Sequence, residues 1–169
     1  MDIREALLAE HSKHQTMKIV RYIGDNPKRF AELMSHFLGP IYRLSQRAAW
    51  AVNYCAEHRP ELIKPYFGRL VEQLDRDDVH DAVRRNVIRS LQFIEIPKRY
   101  HGRVFDACFN LVDDPHQPVA IRVFAMSVAA RIAKNKPALL NELRLLVEKH
   151  LPHATAGFRA RARNMFSDK

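Results

Sequence analysis

The chain is poor in the residues that mark several large classes of protein. Cys55 and Cys108 are its two cysteines; they stand far apart in apolar surroundings, with no CxxC pair. That excludes a disulfide scaffold and a cysteine-rich zinc site, and predicts reduced thiols packed in a core. Glycine is limited to five residues, and none builds a glycine-rich phosphate loop. No segment approaches the roughly 18 consecutive apolar residues of a membrane span. The start, Met1-Asp2-Ile3-Arg4-Glu5, has acids where a signal peptide needs a basic start and an apolar run. The expectation is a cytoplasmic protein without a membrane partner. Catalytic signatures are lacking too: there is no nucleophile elbow and no HExxH. Asp81 and Glu57 are the main candidates for a general base, and neither has an identifiable partner. His11 with His14 and His150 with His153 have a spacing that can bridge adjacent helical turns, but a predicted turn splits the first pair and Leu151-Pro152 the second. The chain is therefore expected to be no enzyme and to need no cofactor or metal.

What is present suits one compact domain over 1–169 with no linker, since 169 residues at 47% hydrophobic can bury a core. Pro27, Pro60, Pro97 and Pro137 each precede an amphipathic segment, as proline does at a first helical position. A second set of helices is expected after Gly39-Pro40, Asp77-Asp78, Asp113-Asp114-Pro115 and Leu151-Pro152. Two kinds of helix thus alternate. The first kind is predicted at about 2–10, 27–38, 60–74, 97–112 and 137–150, and the second at about 13–25, 40–57, 79–94, 115–134 and 152–166.

The second kind carries the decisive pattern. An apolar position p recurs at p+4, p+7, p+8 and p+11, which at about 100° per residue makes one stripe. Leu44, Ala48, Ala51, Val52 and Cys55 fill it; so do Val83, Val87, Ser90, Leu91 and Ile94, and again Ile121, Ala125, Val128, Ala129 and Ile132. Phe158, Ala162, Met165 and Phe166 follow it, and Ser12, Thr16, Ile19, Val20 and Ile23 open the series more weakly. The starting positions 12, 44, 83, 121 and 158 make a repeat of under 40 residues. A helical hairpin that short cannot bury its own apolar face, so such units stack and share a core.

Val83-Arg84, Ile121-Arg122 and Phe158-Arg159 place an arginine directly after the first apolar position, preceded in two cases by an Asp-Asp turn. This resembles the HEAT repeat family. The resemblance implies an all-α fold, a right-handed α-α superhelix of about five helical hairpins, with the second helix of each pair on the concave side. It also implies that Arg84, Arg122 and Arg159 form a structural ladder with turn aspartates. Ser45 and Lys13 occupy the arginine position in the first two units. HEAT-like DNA alkylation repair glycosylases are similar in architecture and in their basic concave face, but their catalytic carboxylate and aromatic pocket have no match here.

Charge divides sharply between the two helix types. The second helices hold fourteen basic residues (Lys13, Lys18, Arg21, Arg43, Arg47, Arg84, Arg85, Arg89, Arg122, Arg131, Lys134, Arg159, Arg161 and Arg163) against three acidic ones, Asp25, Glu57 and Asp81. The first helices are nearly neutral, so the second set, at a net of +11, carries more than the whole formal net charge of +9, the turns between helices being acidic. Positions p−1, p+3, p+6 and p+10 share a strip beside the core stripe. They are Lys18 and Tyr22, then Arg43, Arg47, Trp50 and Tyr54, then Arg89 and Phe93, then Ser127 and Arg131. Arginine beside Trp and Tyr suits a protein-binding hot spot or a platform on which bases stack. The same strip would equally pack against a neighbouring repeat, with the arginine stems covering the rings. The expected partner is an acidic protein surface or segment, with nucleic acid as the rival.

Overall fold

The computed structural model describes residues 1–166, and among these the regular structure is entirely helical. The helices are α1 (Ile3–Ala9), α2 (Lys13–Ile23), α3 (Pro27–Phe37), α4 (Tyr42–His58), α5 (Pro60–Ile63), α6 (Phe67–Glu72), α7 (Asp81–Leu91), α8 (His101–Asp113), α9 (Val119–Ala133), α10 (Pro137–His150) and α11 (Ala156–Phe166). Short 3₁₀ turns occupy Lys64–Tyr66, Lys98–Tyr100 and Leu151–His153. The chain forms two compact units, Met1–Ile94 and Glu95–Lys169. In the first, α2, α4 and α7 are the second helices of three hairpins; in the second, α9 and α11 are those of two.

Local chemistry sets most helix starts. Asp2, Ser12 and Asn26 accept backbone N–H bonds from the first turns of α1, α2 and α3, the usual role of a short polar side chain at an N-cap. Pro27, Pro60 and Pro137 lie in first turns, where the missing N–H costs nothing. Gly24 closes α2 at φ 51° and ψ −129°, a backbone region that L side chains rarely adopt.

Some boundaries depart from the periodicity. The helix expected over 60–74 is interrupted, because Pro65 lacks an N–H and its ring clashes with the carbonyl one turn back; the chain tightens to 3₁₀ before α6. The helix expected from 115 begins at Val119, because Asp114 binds the His116 N–H and the Gln117 amide and holds an open turn as far as Pro118. The aspartates before α7 do not cap it. His80 does, its Nδ1 accepting from Ala82 N at 3.1 Å.

The core follows the repeating stripe. Every predicted stripe residue of α4 and α9 is buried, as are Val87, Ser90, Leu91 and Ile94 in the third hairpin. Thr16, Ile19, Val20 and Ile23 are buried in the first hairpin, Phe158 and Ala162 in the last. At the usual rate of about 25 cal/mol per Å² of apolar area, these stripes supply much of the force holding the hairpins together within each unit. Within the first unit α4 is central, packing on α1, α2, α3 and α7. Its buried alanines, Ala48, Ala49, Ala51 and Ala56, let those neighbours approach closely. Within the second unit α9 plays the same part against α8, α10 and α11.

Candidate functional site

The residue directly after each apolar start has one structural task in four of the five hairpins. Ser45 Oγ donates to the Phe37 carbonyl at the end of α3. Arg84 donates to the Arg76 carbonyl at 2.8 Å. Arg122, buried, donates from Nε and Nη2 to the Val112 carbonyl at 3.0 and 2.7 Å, and Arg159 donates to the Ala154 carbonyl at 2.6 Å. Ser45 and Arg122 meet carbonyls in the last turn of the preceding helix, where such groups lack intrahelical partners and the dipole is negative. Arg84 and Arg159 instead meet the loop carbonyls of Arg76 and Ala154, four residues past the ends of α6 and α10. The expected pairing with turn aspartates is thus replaced by pairing with carbonyls; Asp81 lies 3.7 Å from Arg84 as a weaker contact. Desolvation lowers the pKa of Arg122, while the nearby carboxylates of Asp114 and Asp113 oppose the shift.

A buried polar seam joins α4 to α7. Asn53 Nδ2 donates to the Ala49 carbonyl at 2.7 Å and lies 3.4 Å from Asn86 Oδ1, while Ser90 Oγ donates to Asn53 Oδ1 at 3.1 Å. This seam lies on the flank of α4 opposite Arg47. A polar network of this kind favours one register over sliding, because a slip would leave amides unpaired.

The α4 end of the predicted strip turns toward the preceding hairpin. Arg47 Nη1 donates to the Leu7 and Leu8 carbonyls at 2.9 and 3.0 Å, closing the C-terminal end of α1. Trp50 is half-buried against His11, ring centroids 5.5 Å apart. Tyr54 is half-buried beside His58, whose Nδ1 is 2.9 Å from the Tyr54 carbonyl. Tyr22 lies under Arg29 at 4.2 Å. Arg43, Lys18 and Phe93 are exposed and Arg89 is half-buried. Arg131, in the second unit, is exposed at its surface, and desolvation lowers its pKa.

Residues that the strip did not include complete the outward face of the first unit. Positions p+2, p+6 and p+10 place His14, Lys18 and Tyr22 on α2, Gln46, Trp50 and Tyr54 on α4, and Arg85, Arg89 and Phe93 on α7 and just beyond it. All are exposed or half-buried, and none is acidic. Lys18, Arg43, Arg85 and Arg89 make no ion pair among the described residues. Arg85 was recoverable from the periodicity, since p+2 lies opposite the core stripe. At the outer end of α2 and α4, Met17, Val20 and Tyr54 line a depression of about 390 Å³ edged by Arg21, His58 and Arg59. Asp25 is also at this edge and pairs with Arg59 at 2.7 Å. That pair joins loops 34 residues apart, a distance no local pattern reads.

The remaining candidates have plain settings. Asp81 is exposed beside Arg84, and Glu57 is exposed near the end of α4. In the second unit, His150 and Lys149 both reach Asp113, at 2.8 and 2.9 Å. Among the described residues no three His, Cys, Asp or Glu side chains converge as metal ligands, and no helix is long and apolar enough to cross a membrane. Of the C-terminal arginines, Arg161 donates to Ser127 Oγ at 2.7 Å, tying α11 to α9, while Arg163 is exposed.

No curated protein and no solved structure matches the chain. A family model described as a HEAT repeat domain matches residues 3–169, in agreement with the five helix pairs, the single-stripe cores and the donor at the start of four of the five second helices. The chain belongs to the HEAT repeat family, whose architecture is an α-α solenoid and whose members generally serve as protein-binding scaffolds.

Proposed function

We propose that the protein is a non-enzymatic binding module, and that the outward face of α2, α4 and α7 receives an acidic segment of another protein. The observation that carries this reading is the composition of that face. Lys18, Arg43, Arg85 and Arg89 flank Trp50, Tyr54 and Phe93; none of the positions p+2, p+6 and p+10 is acidic, and the exposed Glu57 lies past Tyr54 at the end of the α4 row. Cations without ion-pair partners hold a positive potential that a negative partner relieves, and half-buried aromatic rings give that partner apolar area at small entropic cost. The strip forms the core of the site in modified roles. Arg47 supports it by holding the end of α1 under the α4 surface; Trp50 and Tyr54 offer only their outward edges.

Nucleic acid is the rival, because aromatic platforms beside arginines also stack bases and grip phosphate. One titration separates the two. Trp50 is the only tryptophan, so its fluorescence reports occupancy of this face. A glutamate-rich peptide should change the emission at low salt, and Lys18→Glu with Arg85→Glu and Arg89→Glu should abolish the change without lowering the thermal midpoint. A random-sequence DNA duplex that binds more tightly than the peptide, with log affinity falling steeply against log salt, would replace the protein reading by the nucleic-acid one. If neither probe perturbs Trp50, the face is not a site for anions.

A further inference from the structure

Resting on that reading, we infer that the depression between the ends of α2 and α4 is an anchoring pocket for one large apolar side chain of the acidic partner, with carboxylates on either side of that residue held at its rim. The pocket's floor and edge differ in chemistry. Val20 is buried, Met17 and Tyr54 are half-buried, and together they make an apolar floor. Arg21 and His58 stand exposed at the edge with Arg59. The volume, about 390 Å³, is at the small end of ligand pockets and has room for one aromatic or branched side chain.

Charge selects the occupant. Arg59 is partly neutralised by Asp25, whereas Arg21 makes no ion pair among the described residues. The edge therefore keeps a net positive charge and disfavours a basic occupant, while the apolar floor of Met17, Val20 and Tyr54 disfavours a polar one. Tyr54 belongs to both the pocket floor and the aromatic row of the face, so a chain lying along the row can drop a side chain into the pocket without turning away. Val20 and the Met17 thioether are suited to that contact, since methionine adapts to irregular apolar shapes. The partner's recognition element is accordingly an apolar residue, phenylalanine or leucine in size, embedded among acids.

The test uses the full chain and two fluorescein-labelled peptides, both glutamate-rich, one with a central phenylalanine and the other with serine in its place. Binding is read by fluorescence anisotropy. The phenylalanine peptide should bind roughly tenfold more tightly, as partial burial of one aromatic side chain predicts. Met17→Trp, which fills the floor without changing charge, should bring the two affinities together. Arg21→Glu, at an exposed position with little effect on folding, should weaken the phenylalanine peptide by about tenfold through loss of the flanking carboxylate contact. Equal affinities for the two peptides on the native protein would overturn the pocket while leaving the basic face standing. A preference for phenylalanine that survives both substitutions would place the anchor elsewhere and equally overturn it. Failure of both peptides to bind would remove the face, and the pocket with it.

Discussion

Arg122 holds the Val112 carbonyl with two donors, at 3.0 and 2.7 Å, while its guanidinium plane rests on Phe158 at 4.5 Å from the ring centroid. One side chain thus joins the end of α8 to the start of α9, and reaches α11 through the ring.

Arg122→Leu keeps the apolar stem but strands the carbonyl and removes the contact with Phe158. It should cost about 2–4 kcal/mol, as loss of a buried charge-assisted hydrogen bond does. Ser45→Ala removes the equivalent donor of the second hairpin, a single neutral bond, and should cost about 1 kcal/mol. Urea denaturation of both variants measures the difference. Equal costs would mean that the guanidinium adds nothing beyond the hydroxyl.

The amide seam between α4 and α7 predicts coupling. Asn53→Ala and Ser90→Ala each disturb the Ser90 Oγ to Asn53 Oδ1 bond. Each should destabilise by about 1–3 kcal/mol, with the double variant costing clearly less than the sum. A double-mutant cycle in urea gives the interaction energy directly, and a value near zero would show that the seam does not act as a unit.

Thiol chemistry gives a test of the core. Burial pushes the Cys108 thiol up to about 12 and the Cys55 thiol up to about 11, the charge of Arg59 offsetting part of the latter shift. Both side chains are buried, so neither should react with a thiol reagent at pH 8 until denaturant is added. Rapid labelling of the native protein would show that these helices open readily.

Acid should act through Asp113. Lys149 and His150 hold its carboxyl below the usual carboxylate range, so the unfolded chain takes up this proton before the folded one does. The stability this group contributes is complete above the ordinary carboxylate pKa and is lost as pH falls through the lowered one. Asp113 is half-exposed, so Asp113→Asn should cost less than about 1 kcal/mol at neutral pH. It should also flatten the acid side of a stability profile measured by thermal unfolding between pH 7 and 3. An unchanged slope would show that the Asp113 contacts with Lys149 and His150 carry no net energy.

Helix identity, pairing and the buried stripe were legible from order along the chain, because a period near 3.6 residues and capping chemistry act over a few positions. The p+4, p+7, p+8 pattern marks Leu44, Ala48 and Ala51 as core positions, and all three are buried. So was the concentration of cations on the second helices. Less legible were Pro65, whose break the stripe pattern does not register, and the start of α9, where Asp114 holds the turn open.

Which flank of each second helix meets its neighbour is a different kind of question. It is answered where Arg47 reaches Leu7 and Leu8 and where Asn53 meets Asn86. Those contacts join residues 33 to 40 positions apart, and no local rule chooses between two equally polar flanks. Packing chooses, by setting which donor finds an unpaired carbonyl and which ring finds a wall. Arginines that look alike in composition therefore divide: Arg122 and Arg47 secure helix ends, while Arg85 and Arg89 stand toward solvent.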